Sequence, residues 1–264
     1  MRARLASIAL VAAAGALVAS GVSAASVSSH PLGAHQSIGA PNDGRLVGAK
    51  KWTDTKFAKR MHEKPKETAW AMPGMIALLQ RAAKKVAQHH PRSVLWVGDL
   101  SAKNGGPLAG HHSHQNGRDA DVGFYAMDER RNRQLVIERF FPFDGAGKSG
   151  EVPSAEFDDR RNWAFVQALL EDERAKVRTV FVASWLKSRL LKHASEVHVP
   201  SGILEHAMVT LMQPANAEPH HDHFHVRISC VPSQKSICHD DSIERPHSAN
   251  ALDVEGPGAD VPGE

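Results

Sequence analysis

An α+β fold with a largely antiparallel sheet is predicted by three features of this 264-residue chain. Two short stretches, residues 119–125 and 223–228, alternate apolar and polar side chains as half-buried strands do. Several other windows repeat apolar residues at helical spacing. Few segments read as long parallel βαβ units. Helices are therefore expected on one side of the sheet of a single domain, with the half-polar strand faces on the other side. An apolar content of 42% against 23% charged residues is enough for one sizeable core. The formal charge of +3 is small and its cations are dispersed. Nothing in that pattern provides the clustered positive face that nucleic acid would need.

In chain order, residues 1–24 read as a signal peptide. Arg2 and Arg4 form the positive start, Ile8 to Val18 the apolar run, and Val22, Ser23 and Ala24 the small residues of a cleavage point. The apolar run is too short to span a bilayer, so the mature chain is expected to be exported, without stable membrane insertion. Losing the two arginines takes the formal charge from +3 to +1. Residues 25–43 are rich in Ser, Gly, His and Pro and read as a disordered lead-in. A domain is expected over residues 44–240. Its first part, to Trp70, is irregular, with Trp52, Phe57 and Trp70 as packing points. Pro73 then opens a helix to His89, with Met75, Ile76, Leu78, Leu79, Ala82, Ala83 and Val86 inward and Pro91 ending it. Residues 94–97 form a buried strand.

After a Gly-rich approach comes the strand near residue 120, with Ala120, Val122 and Phe124 on one face and Asp119, Asp121, Gly123 and Tyr125 on the other. Residues 134–138 read as a further strand. Asp158 or Asp159 caps a helix that runs to Ala175. Residues 177–183 read as a strand and 185–193 as a helix. Ser201 caps a last helix over 203–212, which Pro214 stops. In the final strand Phe224, Val226 and Ile228 share the apolar face, and His223, His225 and Arg227 the polar one. Cys230 and Cys238, the only cysteines, are expected to form a disulfide in an oxidising compartment. Residues 241–264 read as a disordered tail.

Seven of the 17 histidines lie at 111, 112, 114, 220, 221, 223 and 225. A sheet that buries the apolar faces must present Asp121, His223 and His225 together, and His114 is close enough in the preceding loop to fold over them. His, Asp and His donors suit a zinc ion with an open position for water. Such an ion lowers the pKa of bound water and polarises a carbonyl oxygen. His223 is placed to take the proton and pass it to a leaving amine. His111 and His220 fit either a place beside the reacting groups or a structural role. Asp119 is placed to orient a ligand imidazole. His112 and His221 read as outlying or surface groups, and Asp222 as a turn residue bonding backbone. Ser113 lacks the strand–turn–helix elbow of a nucleophilic serine.

The segments GDLSAKNGGPLAGHH (98–112), SHQNGRDADVGF (113–124) and PHHDHFHVRI (219–228) closely resemble penicillin-insensitive murein endopeptidases. These zinc peptidases are grouped with D-Ala-D-Ala dipeptidases and are related in fold to the hedgehog signalling domain. The resemblance extends more weakly over most of residues 44–232 and leaves out the tail. It implies zinc held by His114, Asp121 and His225, with His223 as base and His220 and His111 lining the site. It also implies a periplasmic enzyme that hydrolyses the D-alanyl to diaminopimelyl cross-link of peptidoglycan without a penicillin-reactive serine. Two departures stand out: histidines occupy the region where related enzymes often place a glutamate base, and there is no wider set of cysteines. Two alternatives remain: a D,D-dipeptidase or carboxypeptidase on related D-amino-acid peptides, and a non-catalytic wall- or zinc-binding protein. A non-haem iron oxygenase fits less well, because its short His-x-Asp spacing is missing.

Overall fold

A computed structural model describes residues 34–241 except 129, 131, 132 and 216. The described chain opens with β1 (Gln36–Ala40), β2 (Asp43–Val47), β3 (Lys50–Lys51), β4 (Ala58–Arg60) and β5 (Trp70–Ala71). Next come α1 (Pro73–His89), β6 (Leu95–Val97), β7 (Asp119–Gly123), β8 (Ala126–Asp128), β9 (Arg133–Gln134) and β10 (Ala155–Phe157). The remainder is α2 (Asp159–Leu170), β11 (Val177–Phe181), α3 (Ser184–Glu196), α4 (Ser201–Thr210), β12 (Leu211–Met212) and β13 (His223–Ile228). The expected signal peptide, residues 25–33 and residues 242–264 lie outside the described residues. No described helix is long and apolar enough to cross a membrane.

The fold is α+β, as expected. Its main sheet has six strands in the order β12-β11-β13-β7-β6-β4. The centre is antiparallel, and only the outer pairs β11–β12 and β4–β6 run parallel. In the β7–β13 pair, Ala120 faces Val226 and Val122 faces Phe224. These four residues are fully buried, and Phe224 meets Phe124 edge-on at 4.6 Å and Phe165 of α2 at 5.9 Å. Burial of this apolar face against the helices fixes the register, because a one-residue slip would turn the polar set inward. α1 contributes its seven periodic apolar residues, all buried, and begins with Pro at its first turn. α2 is capped by Asp158, whose side chain accepts from the Arg161 N–H at 3.0 Å.

Several boundaries differ from the sequence reading. The lead-in is ordered from β1 onward: β1 pairs with β2 in a hairpin, and Ser37 N–H donates to the Gln234 side chain at 3.0 Å. Local composition could not reveal this, because the anchoring partners lie about two hundred residues away along the chain. Cys230 and Cys238 do form a disulfide, and the loop it closes pairs with β1 through Gly39 and Cys238. Chain order continues to the start of the expected tail, where Asp240 meets Arg118 at 3.2 Å and Asp241 meets Arg178 at 2.8 Å. The strand expected over 134–138 shrinks to Arg133–Gln134, since Gln134 spends its side chain bonding both backbone groups of Val94.

α2 stops at Leu170 rather than Ala175, because Asp172 accepts the N–H groups of Arg174 and Ala175 in a turn. Ser201 lies inside α4 rather than capping it; Pro200 holds the cap position without a side-chain bond. α4 ends at Thr210 because Leu211 and Met212 pair with β11.

Candidate metal centre

The β7–β13 register places Asp121 opposite His225 and Asp119 opposite Arg227, all on the face away from the helices. This polar face is not open. The loop between β6 and β7 folds over it, and Asp119, Asp121 and His114 are each at most 1% exposed. His114 has a φ of +68°, a left-handed backbone conformation uncommon outside glycine. Its ring is fixed by an Nδ1 contact of 2.6 Å to the Leu100 carbonyl. With Nδ1–H donating there, the Nε2 lone pair faces Asp121 Oδ1 at 3.2 Å. His225 is fixed from the other side, its Nε2 lying 2.7 Å from Asp119 Oδ1. Its Nδ1 then faces Asp121 Oδ1 at 3.4 Å. His223 presents Nε2 to the same oxygen at 3.4 Å, while its Nδ1 meets Asp222 at 2.7 Å.

Acceptor atoms therefore converge on Asp121. His114 Nε2 and Asp121 Oδ1 are buried with no hydrogen-bond partner, a situation that costs about 1–3 kcal/mol per group unless positive charge is supplied. His111, His114 and Asp121 each offer a ligand atom, all within 4.8 Å of one another, and could hold a metal ion. His111 enters through Nδ1, 3.5 Å from Asp121 Oδ2. The donor set of imidazoles and a carboxylate is that of a borderline divalent cation such as zinc.

The charges follow the same geometry. Burial opposes ionisation of Asp121, but the His114 and His223 rings beside it outweigh burial and hold its pKa well below the usual range. Burial likewise disfavours a charged Asp119, and Arg227, with its Nε 2.6 Å away, overrides it and keeps the carboxylate ionised. His225 is shifted down by burial despite Asp119; the neutral ring is the form that binds metal. His223 is also buried, yet Asp121 and Asp222 raise its pKa to about 9. A cation on Asp121 would withdraw part of that support. His220 is lowered to about 3 by burial and by the neighbouring His223 and His225 rings, and its Nδ1 has no partner.

His111, His114, Asp119, Asp121, His220, His223 and His225 thus gather at one place, while His112 is exposed and stays outside it. His220 packs 4.9 Å from His223 and 5.4 Å from His225, centroid to centroid. His221 lies farther out against Trp185 at 6.1 Å. Asp222 bonds its own backbone N–H at a bend before β13, as expected, and its Oδ1 is also the Nδ1 partner of His223.

Three contributors had no role in the sequence reading. Asp99 accepts from Thr68 and Lys64 and lies 3.3 Å from His111 Nε2. Arg227 was recognised on the polar face, and strand parity with His225 was the available clue to its contact with Asp119. Phe140 stacks on His223 at 4.5 Å, and it comes from a loop whose sequence carries no signal of this. Gly98 makes room for it, since a Cβ there would stand 2.4 Å from Phe140 Cζ.

A sequence model of the family described as penicillin-insensitive murein endopeptidase matches residues 37–252. Proteins of that name are among the relatives. One from Haemophilus influenzae is 27% identical over 205 residues, 76% of this chain and 65% of that protein. One from Salmonella heidelberg is 27% identical over 221 residues, 82% of this chain and 74% of its own length. The chain thus spans a little under two thirds of the Haemophilus protein.

Proposed function

The chain belongs to the penicillin-insensitive murein endopeptidase family, and we propose that it is an exported, periplasmic zinc metallopeptidase. Its substrate in this reading is peptidoglycan, and the bond it hydrolyses is the D-alanyl to diaminopimelyl cross-link. The observation that carries the reading is the convergence of His114 Nε2, His225 Nδ1 and His223 Nε2 on one buried Asp121 oxygen, within the span matched by the family. Export is supported by the apolar leader with its small-residue cleavage point and by the Cys230–Cys238 disulfide.

His114, Asp121 and His225 would hold the zinc. His111 is the further candidate on the Asp121 Oδ2 side. The ion would supply Lewis acidity toward water and toward a peptide carbonyl oxygen. The residues themselves divide the remaining work. Asp119 accepts from His225 Nε2–H and directs the Nδ1 lone pair inward. Asp222 likewise holds His223 through Nδ1. With the Asp121 charge committed to a bound cation, His223 Nε2 would be released from it to accept the proton of an attacking water and return it to the departing amine. Phe140 lies flat on the His223 ring and limits its rotation. His220, held neutral by burial and its imidazole neighbours, can donate one N–H toward an oxygen that gains charge.

Purified sacculi incubated with the protein and zinc, followed by separation of the muropeptides, test this reading. Cross-linked dimers should fall and monomers rise, with no loss in the presence of a β-lactam. Dimers that persist unchanged would leave a wall- or zinc-binding protein instead. Release of free D-alanine or a dipeptide from monomers would point to a carboxypeptidase or dipeptidase.

A further inference from the structure

A cleft of about 490 Å3 opens directly on this site, with Asp99 and His111 at its inner end. Pro65, Leu108 and the Phe140 ring give it apolar walls, and Lys64 projects into it. We propose that Lys64 is a specificity-determining residue, binding a free carboxylate carried next to the scissile nitrogen of the substrate. The inference rests on the peptidase reading above, in which the leaving amine is borne by a carbon that also carries a carboxylate.

The geometry favours Lys64 over the other cations nearby. Its Nζ donates to Asp99 Oδ2 at 2.7 Å and stands 4.7 Å from the centre of the Phe140 ring. An ammonium has three N–H groups, so one bond to Asp99 leaves donors for a ligand. Asp99 does not depend on Lys64 alone, because Thr68 donates to it at 2.6 Å and Arg60 lies 3.8 Å away. The Lys64 side chain is only 25% exposed, which limits solvent screening of a bound anion. Arg139, also in the cleft, is 57% exposed and already paired with Glu151 at 2.6 Å. Arg60 turns its guanidinium to the Gly98 and Pro65 carbonyls.

Phe140 makes the link to the chemistry. The ring that receives the Lys64 ammonium also stacks on His223, so the cation stands one aromatic ring from the group that would protonate the leaving amine. In this proposal a carboxylate on the carbon bonded to that nitrogen is taken up on the Lys64 side of the ring.

Two cross-linked muropeptide dimers, identical except that this carboxylate is free in one and a carboxamide in the other, test the inference. The wild type should prefer the free acid by roughly tenfold in kcat/KM, the scale of one charge-assisted hydrogen bond. Lys64→Gln should bring the ratio to about one, and Arg139→Gln should leave it in place. The same preference should appear in equilibrium binding to zinc-loaded His223→Ala, where no hydrolysis intervenes, and disappear in the His223→Ala/Lys64→Gln double variant. Equal hydrolysis of both dimers by the wild type, or a preference that survives Lys64→Gln, overturns the assignment of Lys64 and leaves the peptidase reading standing. Hydrolysis of neither dimer overturns the peptidase reading itself and this inference with it.

Discussion

Arg227 and Asp119 illustrate how much of this site depends on groups that would not touch the metal. Arg227 Nε and His225 Nε2 share one Asp119 oxygen at 2.6 and 2.7 Å. Asp119→Ala is expected to weaken zinc binding about 10–100-fold, the usual effect of losing the outer partner of a metal imidazole. A competition titration against a chromophoric chelator measures this directly. His223→Ala should behave differently, keeping most of the metal while losing turnover; loss of zinc from it would make His223 a ligand. At this scale the sequence was informative wherever strand parity applied. Asp121, His223 and His225 were placed on one polar face, and the register puts them there. His114 was nearby in sequence, but its left-handed backbone and its bond to Leu100 arise from loop packing that periodicity does not encode. Asp99, Lys64 and Phe140 were missed for the same reason.

Among the elements, the long amphipathic helices were legible because burial of one face is a local, repeating pattern. Their ends were less so, being set by single side-chain bonds. Asp172 terminates the α2 region and also ties it to α1, where Arg81 forks onto its two oxygens at 2.6 and 2.8 Å. Burial raises the Asp172 pKa, but the Arg81 fork and the backbone N–H groups of Ala175 and Arg174 outweigh it and leave the pKa lowered. The sign follows: a depressed carboxylate pKa contributes stability above the unfolded value, and that stability is lost as pH falls through the folded one. Arg81→Met should therefore cost about 1 kcal/mol at neutral pH, and the gap to wild type should close below roughly pH 4. Urea unfolding at pH 7 and pH 3 tests this; a gap independent of pH would show that Arg81 acts through packing instead.

For the molecule as a whole, the fold class was readable, because two half-polar strands and a few amphipathic helices allow few arrangements. The ordered start of the chain was not. β1 is held by a loop closed near the other end, through Ser37, Gln234 and the disulfide, and Arg118 joins the Ile228 and His239 carbonyls beneath it. A pairing between distant segments leaves no trace in either composition. Replacing both cysteines by serine should cost about 2–3 kcal/mol through the closed loop. Amide exchange should also show residues 36–40 losing protection before the α1 core does.

The central claim is that two windows about a hundred residues apart in sequence hold one metal ion through His114, Asp121 and His225. Metal content of purified variants by mass spectrometry tests it most directly. The wild type and His223→Ala should each carry about one zinc per chain, and Asp121→Ala and His225→Ala close to none. Full zinc retained by His225→Ala, with loss from His111→Ala, would contradict the claim and place the ion in the His111, His114 and Asp121 cluster alone.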